Sequence, residues 1–119
     1  MQPSNLYTGA IGWSYEEWAG ELYPKFTPRE KFLEIYSQHF RAVELAGTAY
    51  RIPSAETFRR WRSRTPDDFK FAPVAPRSIT HEKGLVGVDR ELAGFLSKCE
   101  LLGGNLGPIL FQLPYNFGI

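Results

Sequence analysis

Thr27-Pro28-Arg29-Glu30-Lys31-Phe32-Leu33-Glu34-Ile35-Tyr36-Ser37-Gln38-His39-Phe40, followed at once by Arg41-Ala42-Val43-Glu44-Leu45-Ala46, decides the reading of the fold. Thr27 suits an N-cap, Pro28 suits a first helical turn, and Phe32, Ile35, Tyr36 and Phe40 recur at helical spacing. The pattern predicts a helix over Pro28 to Phe40 with His39 at its end in a capping or surface role. Ala42 to Ala46 then alternates with period two and predicts a strand. Working outward, Leu6 to Ile11 is a strand candidate before this unit. Ser54 caps a predicted helix reaching about Arg64, with Phe58 and Trp61 inward and Arg59, Arg60, Arg62 and Arg64 spread around the rest. Phe69 to Ala75 is a third strand, weakened by Pro73, which removes a ladder donor. Asp89 caps a third helix through Leu92, Phe95, Leu96, Cys99 and Leu102, ended by Gly103-Gly104. Pro108 to Leu113 is the fourth predicted strand.

Strand–helix–strand alternation at this spacing implies right-handed crossovers and a parallel sheet, an α/β fold of about four parallel strands and three helices. A (β/α)₈ barrel needs about 250 residues, so a chain of 119 supplies half of one. Three helices cover one sheet face and leave the other face and both edges open. No composition break divides the chain, so residues 1–119 are expected to form one partial barrel domain. Net charge is +1 from 14 basic and 13 acidic residues, so no whole-chain field favours nucleic acid or a membrane surface. A single cysteine, Cys99, excludes an internal disulfide, and its apolar neighbours predict a buried core position. Met1-Gln2-Pro3-Ser4-Asn5 lacks the character of a signal peptide and no run approaches membrane-spanning length, which predicts a soluble cytoplasmic protein.

The loop after the first strand, Gly12-Trp13-Ser14-Tyr15-Glu16-Glu17-Trp18 through Gly20 to Tyr23-Pro24, carries two tryptophans and two tyrosines. Rings in such a loop are buried against a core, a ligand or a partner. Core packing is expected of Trp13 and Trp18, whereas Tyr15 and Tyr50 suit stacking on a sugar or base as well as they suit packing. In the second strand, Val43 and Leu45 share one face and Ala42, Glu44 and Ala46 the other. A carboxylate there is either a general base or ligand acceptor, or a structural ion pair with Arg51 or Arg77. Gln112 falls opposite Ile109, Phe111 and Leu113, where a buried amide needs a ligand or loop backbone as partner. His81, in the loop after the third strand, suits proton transfer or anion binding, or a loop-stabilising hydrogen bond. Arg51 and Arg77 follow strands two and three, where guanidinium forks suit phosphate or carboxylate. Two separated histidines give no metal signature, no cofactor motif is present, and Ser14 has no base at motif spacing.

At Gly12-Trp13-Ser14-Tyr15, Tyr23-Pro24, Val43-Glu44, Thr48, Tyr50-Arg51, Pro53, Ala75-Pro76, Thr80-His81 and Leu106 to Pro114, the chain resembles the DUF72 (YecE-like) family. The resemblance implies a TIM barrel of about twice this length, without an established common activity, of which this chain matches the N-terminal half. Where members commonly read Gly-Thr-Ser-Gly-Trp, the chain has Gly9-Ala10-Ile11-Gly12-Trp13. Ala46 and Val74 likewise stand where an asparagine and a lysine are common. The resemblance implies an enzyme-derived barrel fragment, inactive alone, taking a small anionic or sugar-like ligand through Glu44, His81, Arg51, Arg77, Tyr15, Tyr50 and Gln112. Two alternatives stay open. The chain associates with itself or with a complementary C-terminal half to close a barrel, or the barrel handles nucleic acid.

Overall fold

The computed structural model describes residues 6–115, so the terminal reading of Met1 to Asn5 lies outside the described residues. Three parallel strands, β1 (Gly9–Ile11), β2 (Ala42–Leu45) and β3 (Lys70–Pro73), lie side by side in chain order. The α-helices among the described residues are α1 (Phe32–His39), α2 (Ala55–Ser63) and α3 (Asp89–Cys99). The first two occupy the successive β1–β2 and β2–β3 connections, the mixed α/β arrangement that the alternating pattern predicts.

Register explains which side chains meet the helices. Ala10, Val43 and Phe71 stand abreast, and Leu45 pairs with Pro73. Val43, Leu45 and Phe71 join Phe32, Leu33 and Tyr36 of α1 and Phe58 of α2 in one core, with Tyr23, Phe69 and Leu102. Ile11, Glu44 and Ala72 form the neighbouring row on the opposite face. Ile11 is 58% exposed there, so this face is open at the ends of β1 and β2. The alternation seen in Ala42-Val43-Glu44-Leu45 is thus the alternation of the folded strand.

Helix starts differ in detail from the sequence pattern. Ser54 caps α2 as predicted, its Oγ accepting from Thr57 N at 3.2 Å. Thr27 does not cap α1, because its hydroxyl donates back to Pro24 O at 2.6 Å. A tight turn at Arg29–Lys31 precedes α1 instead, and the α-helical part starts at Phe32. Asp89 is the first residue of α3 rather than its cap. A tight turn over Glu100–Asn105 carries Leu102 into the core, and Gly103 turns the chain with φ of 56°.

The fourth strand, predicted over Pro108 to Leu113, is corrected. The segment touches β3 and the residue after it at two separate rungs, Phe71 with Leu106 and Val74 with Leu110. Three residue steps from Phe71 to Val74 face four on the other side, so the segment bulges by one residue. Pro108, without an N–H, sits in that bulge and Pro73 offers none from β3, which leaves too few donors for a continuous ladder. Gly107 N to Phe71 O (2.7 Å), Leu110 N to Pro73 O (2.9 Å) and Ala75 N to Leu110 O (2.8 Å) hold it in place. Phe111, Gln112 and Leu113 lie beyond the last rung and are exposed, so Gln112 is not the buried strand amide expected.

Cys99 is fully buried beside Ala75 and Phe95, as its neighbours predict. Burial pushes its thiol from 9.0 up to about 11, and burial, with a smaller contribution from the Tyr36 phenol, pushes Tyr23 from 10.0 to about 12. For a group whose folded value is raised, the stabilising contribution is complete below the unfolded value and lost as pH climbs through the folded one. Denaturant midpoints are therefore expected to hold steady up to about pH 9 and to fall between pH 9 and about 11. Cys99→Ala should make that alkaline decline shallower. An unchanged slope in the variant would remove the thiol from the account.

Candidate functional site

The site is assembled where the strands end. β1 runs into Gly12, whose N–H donates to Glu44 O at 3.1 Å and whose φ of 77° suits glycine. The chain then turns back, so that the Tyr15 hydroxyl donates to Ile11 O and its ring covers Gly12. Trp13 points to the core, edge-on to Trp61 of α2 at 5.1 Å and to Phe71 at 6.2 Å. Trp18 packs on Tyr15 at 4.6 Å and lies parallel to Tyr36 at 6.4 Å. Tyr23 stacks on Phe32 at 4.1 Å and donates its hydroxyl to Trp13 O. Both loop tryptophans thus serve core packing, while Tyr15 stays 38% exposed.

A cavity of about 430 Å³ opens between this loop, the end of β2 and the start of α2. Tyr15, Glu44 and Arg51 reach it from three segments of the chain. Glu44 also lines a smaller pocket of about 160 Å³, whose walls include Tyr50, Arg77, His81 and Gln112. All seven residues singled out in the sequence therefore surround two concavities that share Glu44. Neither Arg51 nor Arg77 lies within ion-pair distance of Glu44 in this arrangement. Among the described residues no group hydrogen-bonds the carboxylate of the half-buried Glu44.

The segment after β3 forms a wide helical turn over Ser78–Glu82 that buries Ile79 and Thr80. Thr80 Oγ1 lies 2.7 Å from His81 Nδ1, which leaves Nε2 as the ring nitrogen for a ligand. The Arg77 guanidinium sits 5.6 Å over the Tyr50 ring, and Tyr50 is 78% exposed. Gln112 contributes to the wall from the exposed segment beyond the bulge. Among the described residues no group of three histidine, cysteine or acidic side chains stands where it could hold a metal ion.

Residues 7–119 match the family described as protein of unknown function DUF72. The chain belongs to the DUF72 family. It is 34% identical over 113 residues to the UPF0759 protein YecE of Escherichia coli K12, covering 95% of this chain and 39% of that protein. It is 33% identical over 115 residues to the UPF0759 protein YunF of Bacillus subtilis, 40% of which it spans. The crystal structure of a DUF72 family protein from Thermotoga maritima superposes with a TM-score of 0.76 at 33% identity, covering 95% of this chain and 46% of that one. The chain thus spans about two fifths of the length of the curated relatives it matches. Three of its departures from the common DUF72 pattern fall on the site: Ile11 and Ala46 line the larger cavity, and Ala46 and Val74 the smaller. Ala10 packs against the core.

Sequence reasoning overlooked the residue that holds the floor of this site. Thr48, in a tight turn over Ala46–Ala49, is buried and lines the larger cavity. Its Oγ1 accepts from Val74 N at 2.8 Å and faces Val74 O at 2.6 Å and Leu45 O at 2.9 Å. Thr48 entered the sequence reading only as a residue of the DUF72 resemblance, and its place just past a strand that ends beside a proline-interrupted neighbour was the local signal for a structural role. No helix among the described residues is long and apolar enough to cross a membrane.

Proposed function

We propose that the strand-end cavity binds a small anionic or sugar-like ligand, with Glu44 as the acceptor, or general base, at its centre. The observation that carries this reading is the Glu44 carboxylate, on a half-buried residue and with no described protein partner, placed where two concavities meet. Such a group is stabilised by hydrogen-bond donors that a ligand brings. Arg51 and Arg77 supply positive charge, and Tyr15 and Tyr50 supply ring faces. His81, steadied by Thr80, is the second group suited to proton transfer. The consecutive parallel order β1-β2-β3, with helices in the connections and the site beyond the strand ends, supports a barrel-type (β/α) origin for residues 1–119.

Inorganic phosphate, citrate and methyl glucoside serve as probes in a thermal-shift titration of the intact chain. At least one is expected to raise the melting temperature, and Glu44→Gln and His81→Ala are expected to weaken that response without lowering the unliganded melting temperature by more than about 2 °C. Binding that survives both substitutions places the pocket elsewhere.

A second reading rests on a different observation. Ile11, Leu110, Phe111 and Leu113 are each about 40–60% exposed around the open face and edge of the sheet. Association with a second copy, or with a further (β/α) section, would cover them and complete a barrel. Light scattering that returns a single-chain mass across the micromolar range would end self-association.

A further inference from the structure

The larger cavity and its neighbour differ in chemistry, and the difference narrows the ligand class. Walls of the 430 Å³ cavity are largely apolar: Ile11, Trp13, Leu45, Pro53 and Trp61 surround the single carboxylate of Glu44. The adjoining pocket of about 410 Å³ is lined by Tyr50, Arg51, Arg77, Ser78 and Glu82. Arg51 and Thr48 line both, so the two adjoin as lobes across a shared wall. Two guanidinium groups outweigh the one carboxylate of Glu82 in the second lobe. No ion pair joins either arginine to another described residue, and Arg77 is positioned by the Tyr50 ring beneath it.

Resting on the ligand-binding reading above, we propose that the ligand is a small organic anion with a flat apolar body and a phosphate or carboxylate head. The body fills the lobe walled by Trp13 and Trp61, where burial of ring surface drives binding. The head lies between Arg51 and Arg77, whose forks match a tetrahedral or planar oxyanion. Glu44, in the wall of the first lobe, accepts a hydrogen bond from an N–H or O–H on the body. A bare inorganic anion leaves the first lobe empty, and a neutral sugar leaves the arginines without a counter-charge.

Three probes separate these elements in titrations of the intact chain, read by calorimetry and by tryptophan fluorescence, to which Trp13 and Trp61 contribute: phenyl phosphate, inorganic phosphate and phenyl glucoside. Phenyl phosphate is expected to bind at least about tenfold more tightly than either of the others. Arg51→Gln and Arg77→Gln should each weaken it by about tenfold while far-UV dichroism stays unchanged. The exposed Arg77 carries the test should Arg51→Gln misfold. Equal affinity for phosphate and phenyl phosphate overturns the apolar lobe and leaves the anion site standing. Equal affinity for the glucoside overturns the anionic head and leaves the small-ligand reading standing. Failure of all three overturns both.

Discussion

Thr48→Val is expected to destabilise the fold by about 3 kcal/mol, because each buried backbone group it strands costs on the order of 1–3 kcal/mol. β2 ends at Leu45, opposite Pro73, and the chain then leaves the sheet through the turn at Ala46–Ala49. The residue after β3, Val74, has its N–H and C=O still facing that side, past the end of β2. The Thr48 hydroxyl replaces the missing rung: it accepts from Val74 N at 2.8 Å and lies 2.6 Å from Val74 O. A hydroxyl has one proton, so Val74 O and Leu45 O share it in turn. Valine has the same shape and neither capacity. At roughly 4 °C per kcal/mol for a chain of this size, the melting temperature should fall by about 12 °C. Thr48→Ser keeps the hydroxyl and loses one methyl group, so its deficit should be about 1 kcal/mol. Equal melting temperatures for wild type and Thr48→Val would mean that Val74 finds another partner. The same substitution loosens the wall of the larger cavity, which ties the integrity of the site to one buried hydroxyl.

The strand–helix alternation was legible because the relevant signals are local. Period two in Ala42-Val43-Glu44-Leu45 and helical spacing in Phe32, Ile35 and Tyr36 each report which side of an element meets the core. Ser54 was legible as a cap for the same reason, since its partner is three residues away. Thr27 misled because a threonine hydroxyl is served equally well by a carbonyl behind it, and Pro24 O offered one. The fourth strand misled because its fate depends on a distant neighbour. Leu106 to Leu110 meets a β3 whose Pro73 lacks a donor, and nothing within Pro108 to Leu113 encodes that. The site followed the same division. Glu44, Arg51 and Arg77 were found from their positions at strand ends, and the structure brings all seven candidates to two adjoining concavities. Gln112 was right in place and wrong in burial, since its face assignment assumed a strand that the bulge breaks. The two-lobed shape was not legible, because it arises from how the turn at Ala46–Ala49 lies against the turn at Ser78–Glu82.

Gly9→Ala should be at least as damaging as Thr48→Val, although it adds only one carbon. A Cβ at position 9 would lie 1.8 Å from Ala42 O and 2.6 Å from Ala42 C, both backbone atoms of the paired strand. No rotamer relieves a clash between two backbones, so β1 must move away from β2. The same carbon would lie 3.0 Å from the Tyr36 hydroxyl, which donates to Ala42 O at 2.8 Å and accepts from Ala10 N at 2.7 Å. Moving β1 therefore breaks the link by which α1 fastens the first two strands, and a phenol buried in the core loses its partners. Overpacking and the lost bonds together should cost about 3–4 kcal/mol in denaturant unfolding. Tyr36→Phe, which removes the link without the clash, should cost about 2 kcal/mol. Gly94→Ala provides the opposite case: in α3, with nothing beyond its chain neighbours and its own helix backbone within 4 Å of the added carbon, it should stabilise by about 0.5–1 kcal/mol. Because β1 carries the loop from Gly12 to Tyr15 at its end, Gly9→Ala should also weaken phenyl phosphate binding, which Gly94→Ala should leave alone. Wild-type stability in Gly9→Ala would show that β1 tolerates a shift without penalty, and the fastening role of Tyr36 would fall with it.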